Sequence, residues 1–275
     1  MSNLVALQMT SSPNVTANLQ AVNTALASLS VTEPTLVVLP ECFACFGGGD
    51  KGQLAIAETF GDGPIQSALY AMAKRYGVWL VAGSMPIRTE RADKFSATCL
   101  LINDCGEMVS DYQKIHLFDV QVADNTGSYL ESRYTQPGNK VVVQDTPFGK
   151  LGLAVCYDLR FSGLFQAMSQ LGPLDVLALP AAFTYKTGQA HWHALLGARA
   201  IENQCYVVAA NQTGEHVNKR QTYGHSCIMS PWGENLCEIS DQPGLIQTRL
   251  DMSLVAEIRR DMPVNHHNKF RSYLV

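Results

Sequence analysis

Residues 150–161 read KLGLAVCYDLRF and join a strand to a helix with almost no loop between them. Leu151 to Val155 form an apolar run of the kind buried on both faces of a sheet. The run ends at Cys156, and a helix is predicted over 159–171. A strand that hands over directly to a helix is the junction of layered α/β folds, whose strand ends present side chains to ligand.

The same alternation continues on both sides of this stretch. Upstream it predicts strands at 4–9, 35–40 and 77–83 (GVWLVAG), with helices at 13–30 and 64–76. A hairpin is predicted from 97–103 and 107–114 around Asp104-Cys105-Gly106, followed by a strand at 140–144. Downstream come strands at 175–180 and 206–211 and a helix at 188–204, after which 222–250 turns to short strands broken at Pro231-Trp232-Gly233 and Pro243-Gly244. No linker or repeat interrupts the pattern, so one α/β domain over 1–275 is expected.

Apolar residues make up 47% of the chain and charged residues 16%, the profile of a folded chain with a substantial core. The net charge of -4 and the scattered lysines and arginines speak against nucleic acid as a partner. The start has no basic segment leading into an apolar one, and no later run approaches the roughly 20 residues that cross a bilayer. A soluble cytoplasmic protein away from membranes is therefore expected, with its eight cysteines reduced.

Three strand ends carry residues with chemistry. In LVVLPECF (36–43), an apolar strand stops at Pro40 and presents Glu41 among apolar neighbours, a setting that suits a carboxyl for taking and returning a proton. Taken alone, Glu41 also reads as an ordinary loop-edge glutamate. In DYQKIHLF (111–118), Lys114 closes a strand; turned inward it needs a carboxylate partner and can face an oxyanion, turned outward it only reaches for solvent. In the opening stretch, Cys156 sits where a helix end supplies N–H groups that favour thiolate and where the N–H of Tyr157 can hold an oxyanion. A small core cysteine is the plainer reading of that residue by itself.

Together LPECF (39–43), YQKIHLFDV (112–120) and LAVCYDLRF (153–161) resemble the three signature stretches of the nitrilase superfamily, the carbon-nitrogen hydrolases. The resemblance implies a four-layer α-β-β-α sandwich that pairs into a homodimer, and a Glu-Lys-Cys triad of Glu41 (acid and base), Lys114 (oxyanion cation) and Cys156 (nucleophile). It also implies a supporting role for Glu131 in SYLESRYTQPG (128–138), orienting the lysine or the substrate. Residues 190–234 and the tail 259–270 are similar to the deaminated glutathione amidase branch, with the omega-amidases and other small-amide or N-carbamoyl hydrolases as alternatives.

The activity implied is hydrolysis of a small-molecule amide through a thioester, without metal or organic cofactor. A keto-acid substrate of that branch needs a cationic clamp, for which Arg160 is the candidate; a structural ion pair of Arg160 with Asp158 or another acid is the competing reading. Thr184 in AAFTYKTG (181–188) is a candidate hydroxyl donor, or a loop hydroxyl bonded to its own backbone.

Other signals are weaker. Cys42-Phe43-Ala44-Cys45 is formally a redox or metal C-x-x-C, yet glycines 47–49 follow where a redox motif needs a helix and no second pair completes a zinc site. His191 and His193 flank Trp192 on different faces of a helix, which disfavours joint ligation, and His216, His225, His266 and His267 show no ligand spacing. A Cys-His protease pairing with Cys156 is a further alternative.

Overall fold

The strand Ser2–Gln8 is flanked by Thr35–Val38 in parallel and by Gly244–Leu250 in antiparallel pairing. Its side chains serve two cores alternately. Leu4 and Ala6 share one core with Leu153, Ala178 and Val208 of a second sheet. Val5 and Leu7 share another with Val22 and Leu26 of the helix Val15–Ala27 and Leu69 and Met72 of the helix Pro64–Tyr76. A strand covered on both faces cannot alternate apolar with polar residues, which is why this stretch reads as one apolar run.

The computed structural model describes residues 2–49, 51–122 and 127–275. It is a four-layer α-β-β-α sandwich, as the resemblance implied. In the first sheet the order is Gly244–Leu250, Ser2–Gln8, Thr35–Val38, Trp79–Val81, Phe95–Ile102 and Met85–Arg88, with Met108–Gln113 and Thr135–Gln136 also paired to Phe95–Ile102. The second runs Val143–Thr146, Gly149–Leu153, Val176–Ala181, Tyr206–Asn211, Ser226–Met229 and Asn235–Ile239. Its outer face is closed by the helices Ser162–Gln170 and Tyr185–Asn203, through Phe165, Met168, Trp192 and Leu196.

Each sheet has adjacent parallel strands at its centre, and a parallel bridge between Met9 and Gln212 brings the carboxyl ends of the two sheets together. Ligand sites of open α/β sheets lie at such ends. Among the described residues no helix is long and apolar enough to cross a membrane.

Several expected boundaries move for local reasons. The strand predicted at 140–144 begins at Val143, because its hairpin with Gly149–Leu153 sets the register from Thr146↔Gly149 outward. The helix predicted at 159–171 is a 3-10 turn, Cys156–Arg160, and then Ser162–Gln170, since Phe161 at φ -110°, ψ 88° interrupts it. The helix predicted from 188 starts at Tyr185, following Thr184 in extended conformation at φ -61°, ψ 146°.

Candidate active site

Lys114 is the hub on which the strand ends converge. Its Nζ donates to Glu41 Oε1 at 2.7 Å and to Glu131 Oε1 and Oε2 at 3.0 and 2.9 Å. The side chains of Lys114, Glu41 and Glu131 are 2%, 7% and 20% exposed, so one ammonium serves two carboxylates out of reach of bulk water. The Cys156 thiol is also buried beside Glu41, with the backbone amide of Ala182 near the sulfur. All four lie in the wall of one cleft of ≈ 280 Å³, at the small end of ligand pockets, which suits a small amide better than a peptide segment. No histidine lines that cleft among the described residues, so Cys156 has a carboxylate partner and the Cys-His pairing is set aside.

Each group is anchored through its backbone. Gln212 Nε2 donates to the Glu41 carbonyl at 3.0 Å. Gly83, at φ +51°, passes so close to Pro40 that a Cβ would stand 2.0 Å from its carbonyl oxygen, so only glycine lets the segment carrying Glu41 lie there. The Lys114 N–H donates to Ala97 and its carbonyl accepts from Gly138 at 2.8 Å, where a Cβ on Gly138 would meet Gln113 at 2.2 Å.

Cys156 itself has φ +48°, a left-handed conformation that an L-residue keeps only under constraint. Asp158, fully buried, supplies the constraint: it accepts from Val155 N at 2.9 Å, Tyr112 Oη at 2.7 Å and His116 N at 3.1 Å, tying the Cys156 turn to the strand that ends at Lys114. Arg199 adds a second tie through Nε and Nη2 to the Leu159 carbonyl, at 3.0 and 2.9 Å.

Charge states follow from this packing. Burial works against the Lys114 ammonium, but Glu131 and Glu41, with Cys156 adding, hold it protonated well above the ordinary lysine range. Burial pushes the Glu131 carboxyl up, Lys114 pulls it back, and Glu41 adds to the rise. Burial and then Glu41 push the Cys156 thiol well up, against Lys114 and the Ala182 amide. The expected thiolate is therefore replaced by a thiol at rest, because a short 3-10 turn does not outweigh desolvation beside a carboxylate.

Tyr157, Arg160 and Thr184 also line the cleft. Arg160 does not pair with Asp158, whose oxygens are taken; its guanidinium lies 5.9 Å from the Tyr157 ring and 5.2 Å from the Phe183 ring, and Nη1 contacts His191 Nδ1 at 3.2 Å. The Thr184 hydroxyl bonds the Thr187 hydroxyl at 2.7 Å rather than its own backbone. Cys42 and Cys45 sit in the same wall as free thiols, and burial pushes that of Cys42 up, the opposite of what a redox cysteine needs.

One cleft residue escaped the sequence reading. Arg220 lies over the Phe46 and Tyr129 rings at 4.9 Å each and donates through Nη2 to the Ala182 carbonyl at 3.0 Å, while its buried Nε has no partner among the described residues. No carboxylate pairs with Arg160 or Arg220 among the described residues. Nothing in NKRQT (218–222) distinguishes Arg220 from a surface arginine; only the fold turns it inward.

Beside it, His216 is 3% exposed, with Nδ1 donating to the Ser11 carbonyl at 2.9 Å and Nε2 against Thr222 Oγ1 at 2.7 Å. Burial, helped by the charge of Arg220 and opposed by Ser11, pushes its pKa from 6.5 down to about 4. The neutral ring thus stabilises the fold fully above pH 6.5, and that stability is lost as pH falls toward 4. Between pH 7 and 5 the loss from this residue is about 2 kcal/mol. Urea unfolding at both pH values is expected to show it, and His216→Gln to remove that part of the slope; an unchanged slope in the variant rules the assignment out.

Comparisons with known proteins show the family to which the chain belongs. The family profile described as carbon-nitrogen hydrolase matches residues 4–260. A deaminated glutathione amidase from Yersinia enterocolitica is 42% identical over 275 residues, covering 100% of this chain and 95% of the relative. The crystal structure of the Caenorhabditis elegans NitFhit protein superposes with TM-score 0.89 at 36% identity, over 97% of this chain and 65% of that longer one. A point mutant of the amidase from Nesterenkonia sp. AN1, solved after Michael addition of acrylamide at its active-site cysteine, superposes with TM-score 0.78 at 26% identity, over 97% of this chain and 100% of that one. The chain belongs to the carbon-nitrogen hydrolase family and is an amidase.

Proposed function

We propose that this amidase hydrolyses a small anionic amide through a thioester on Cys156, and that deaminated glutathione is the substrate. The observation that carries the substrate class is the pair of guanidinium groups, Arg160 and Arg220, set in the cleft wall without a carboxylate among the described residues. A carboxylate entering the cleft gains charge-assisted hydrogen bonds that the protein leaves unused. The shared name of relatives that are 42% and 38% identical supports the particular substrate.

In this reading Glu41 takes the thiol proton and the sulfur attacks the amide carbon. The oxyanion faces the Lys114 ammonium and the Tyr157 N–H, while Glu131 holds Lys114 in place. Glu41 then protonates the nitrogen, the C–N bond breaks and the amine leaves. Water, losing a proton to Glu41, attacks the thioester; the C–S bond breaks and the proton returns to sulfur. The products are 2-oxoglutarate and cysteinylglycine, and every proton moves between groups already in the cleft, so the scheme uses neither metal nor organic cofactor.

The test compares kcat/KM for deaminated glutathione, 2-oxoglutaramate and an N-carbamoyl amino acid. Preference for the first is expected, and preference for 2-oxoglutaramate would move the chain to the omega-amidases. Arg220→Met is expected to raise KM about 10- to 100-fold with kcat little changed, the worth of one charge-assisted contact. An unchanged KM would remove the anionic-substrate argument.

The same reading takes residues 1–275 as one cytoplasmic domain with no nucleic-acid or membrane partner, assembling as a homodimer through the helix Tyr185–Asn203. Ala194, Ala198 and half-exposed Ile201 lie outward on that helix, leaving an apolar strip for a second copy. Sedimentation at the monomer mass would dismiss the dimer.

A further inference from the structure

Away from the cleft, three metal-ligating side chains from three elements meet on the outer side of the second sheet. His193 comes from the helix Tyr185–Asn203, His225 from the turn before the strand Ser226–Met229, and Glu238 from the strand Asn235–Ile239. His193 Nε2 is 3.1 Å from Glu238 Oε2, His225 Nδ1 is 2.5 Å from Glu238 Oε1, and one donor atom of each residue lies within 4.8 Å of the others. The ligand spacing absent from the sequence is supplied by folding: His193 finds its partners across the sheet, not in His191.

We propose that His193, His225 and Glu238 form a surface site for a divalent first-row transition ion, zinc being the representative. Donors held about 2.1 Å from a tetrahedral ion stand about 3.4 Å apart. The separations of 3.1 and 2.5 Å to Glu238 are shorter than that, as hydrogen bonds are, so modest side-chain rotation opens the set around an ion. Two imidazole nitrogens and one carboxylate select zinc, cobalt, nickel or copper over magnesium and calcium, which want oxygen alone. Three protein ligands leave a fourth position for water or an exchangeable ligand.

The surroundings already fix these donors. Asn235 Nδ2 donates to Glu238 Oε2 at 2.5 Å, orienting the carboxylate as outer partners of metal ligands do. The Tyr223 ring stacks on His225 at 4.2 Å with 22° between the planes. The backbone of His225 is held at φ +55° by the Trp192 indole N–H on its carbonyl and by its own N–H on Ser240, both at 2.7 Å. Hydrogen bonds to Glu238 satisfy both imidazoles without an ion; binding moves each ring's proton to its far nitrogen and needs no redox partner.

The experiment titrates the chelator-stripped full chain with ZnCl2 by calorimetry, and with CoCl2 followed by visible absorption. One zinc per chain is expected, undiminished by excess Mg²⁺ or Ca²⁺, with a tetrahedral cobalt spectrum. His193→Gln, on the helix surface, and Glu238→Gln are each expected to weaken zinc at least about 100-fold, and Asn235→Ala about 10-fold. The double variant Cys42→Ser/Cys156→Ser is expected to keep the zinc, which separates this site from the cleft thiols. None of the three ligands lines the cleft, so chelation is expected to leave amide hydrolysis unchanged. Absence of zinc binding, or binding kept in His193→Gln and lost with the cleft thiols, would overturn the site.

Discussion

Cys156→Ala is expected to lower kcat/KM for amide hydrolysis by at least about 10⁴-fold, the scale of removing a covalent nucleophile. The fold should survive, because the tension at φ +48° is held by Asp158 and Arg199 and not by the sulfur. Alanine at the same backbone angle loses one buried atom and little else, so a thermal midpoint within a few degrees of the parent is predicted. Cys156→Ser should be almost as inactive, since a hydroxyl gives up its proton to Glu41 far less readily than a thiol. Initial rates with calorimetric melting check both; substantial turnover in a folded Cys156→Ala protein would remove the nucleophile from the scheme.

Lys114→Met is expected to damage stability and activity together. The substitution leaves Glu41 and Glu131 facing one another in a buried site without their cation. Breaking a buried pair from one side costs about 3–5 kcal/mol, and losing the oxyanion cation costs at least about 10²–10³-fold in kcat. With no ammonium beside it the Glu131 carboxyl of the folded variant sits higher still, so stability should recover as pH falls and it takes up a proton. Adding Glu131→Gln removes one stranded charge and is expected to restore stability but not turnover. Urea midpoints and rates on the three proteins separate the two effects; a second substitution that restores activity would show that Lys114 only balances charge.

Much of the fold was legible because both faces of the central strands are covered. Leu4 to Leu7, Leu36 to Leu39 and Leu151 to Val155 read as apolar runs for that reason, and the helix Pro64–Tyr76 announces itself by Pro64 at its start and Gly77 at φ 62° at its end. The helix Met252–Asp261 went unread although Asp251 caps it through bonds to Ser253 and Leu254, because only one turn of apolar residues, Val255 and Ile258, is buried. The short strands Met85–Arg88 and Thr135–Gln136 are held by pairing to Phe95–Ile102, a long-range effect with no local signature.

At the site, Glu41, Lys114 and Cys156 were legible as strand-end residues joined by a resemblance, and Glu131 through the resemblance alone. Asp158 was in view only as a partner for Arg160, whereas its carboxylate closes the turn under Cys156. Arg220 was invisible, since what marks it is a buried Nε without a partner among the described residues, a property of packing.

The chemistry proposed for the cleft is tested most directly by catching the acyl group. Wild-type protein quenched in acid during turnover of deaminated glutathione, digested with trypsin and weighed should carry a 2-oxoglutaryl thioester on the peptide 151–160, LGLAVCYDLR, which holds Cys156 alone among the eight cysteines. The acyl mass on the peptide that carries Cys42 and Cys45, or none on any cysteine while product accumulates, would contradict the account.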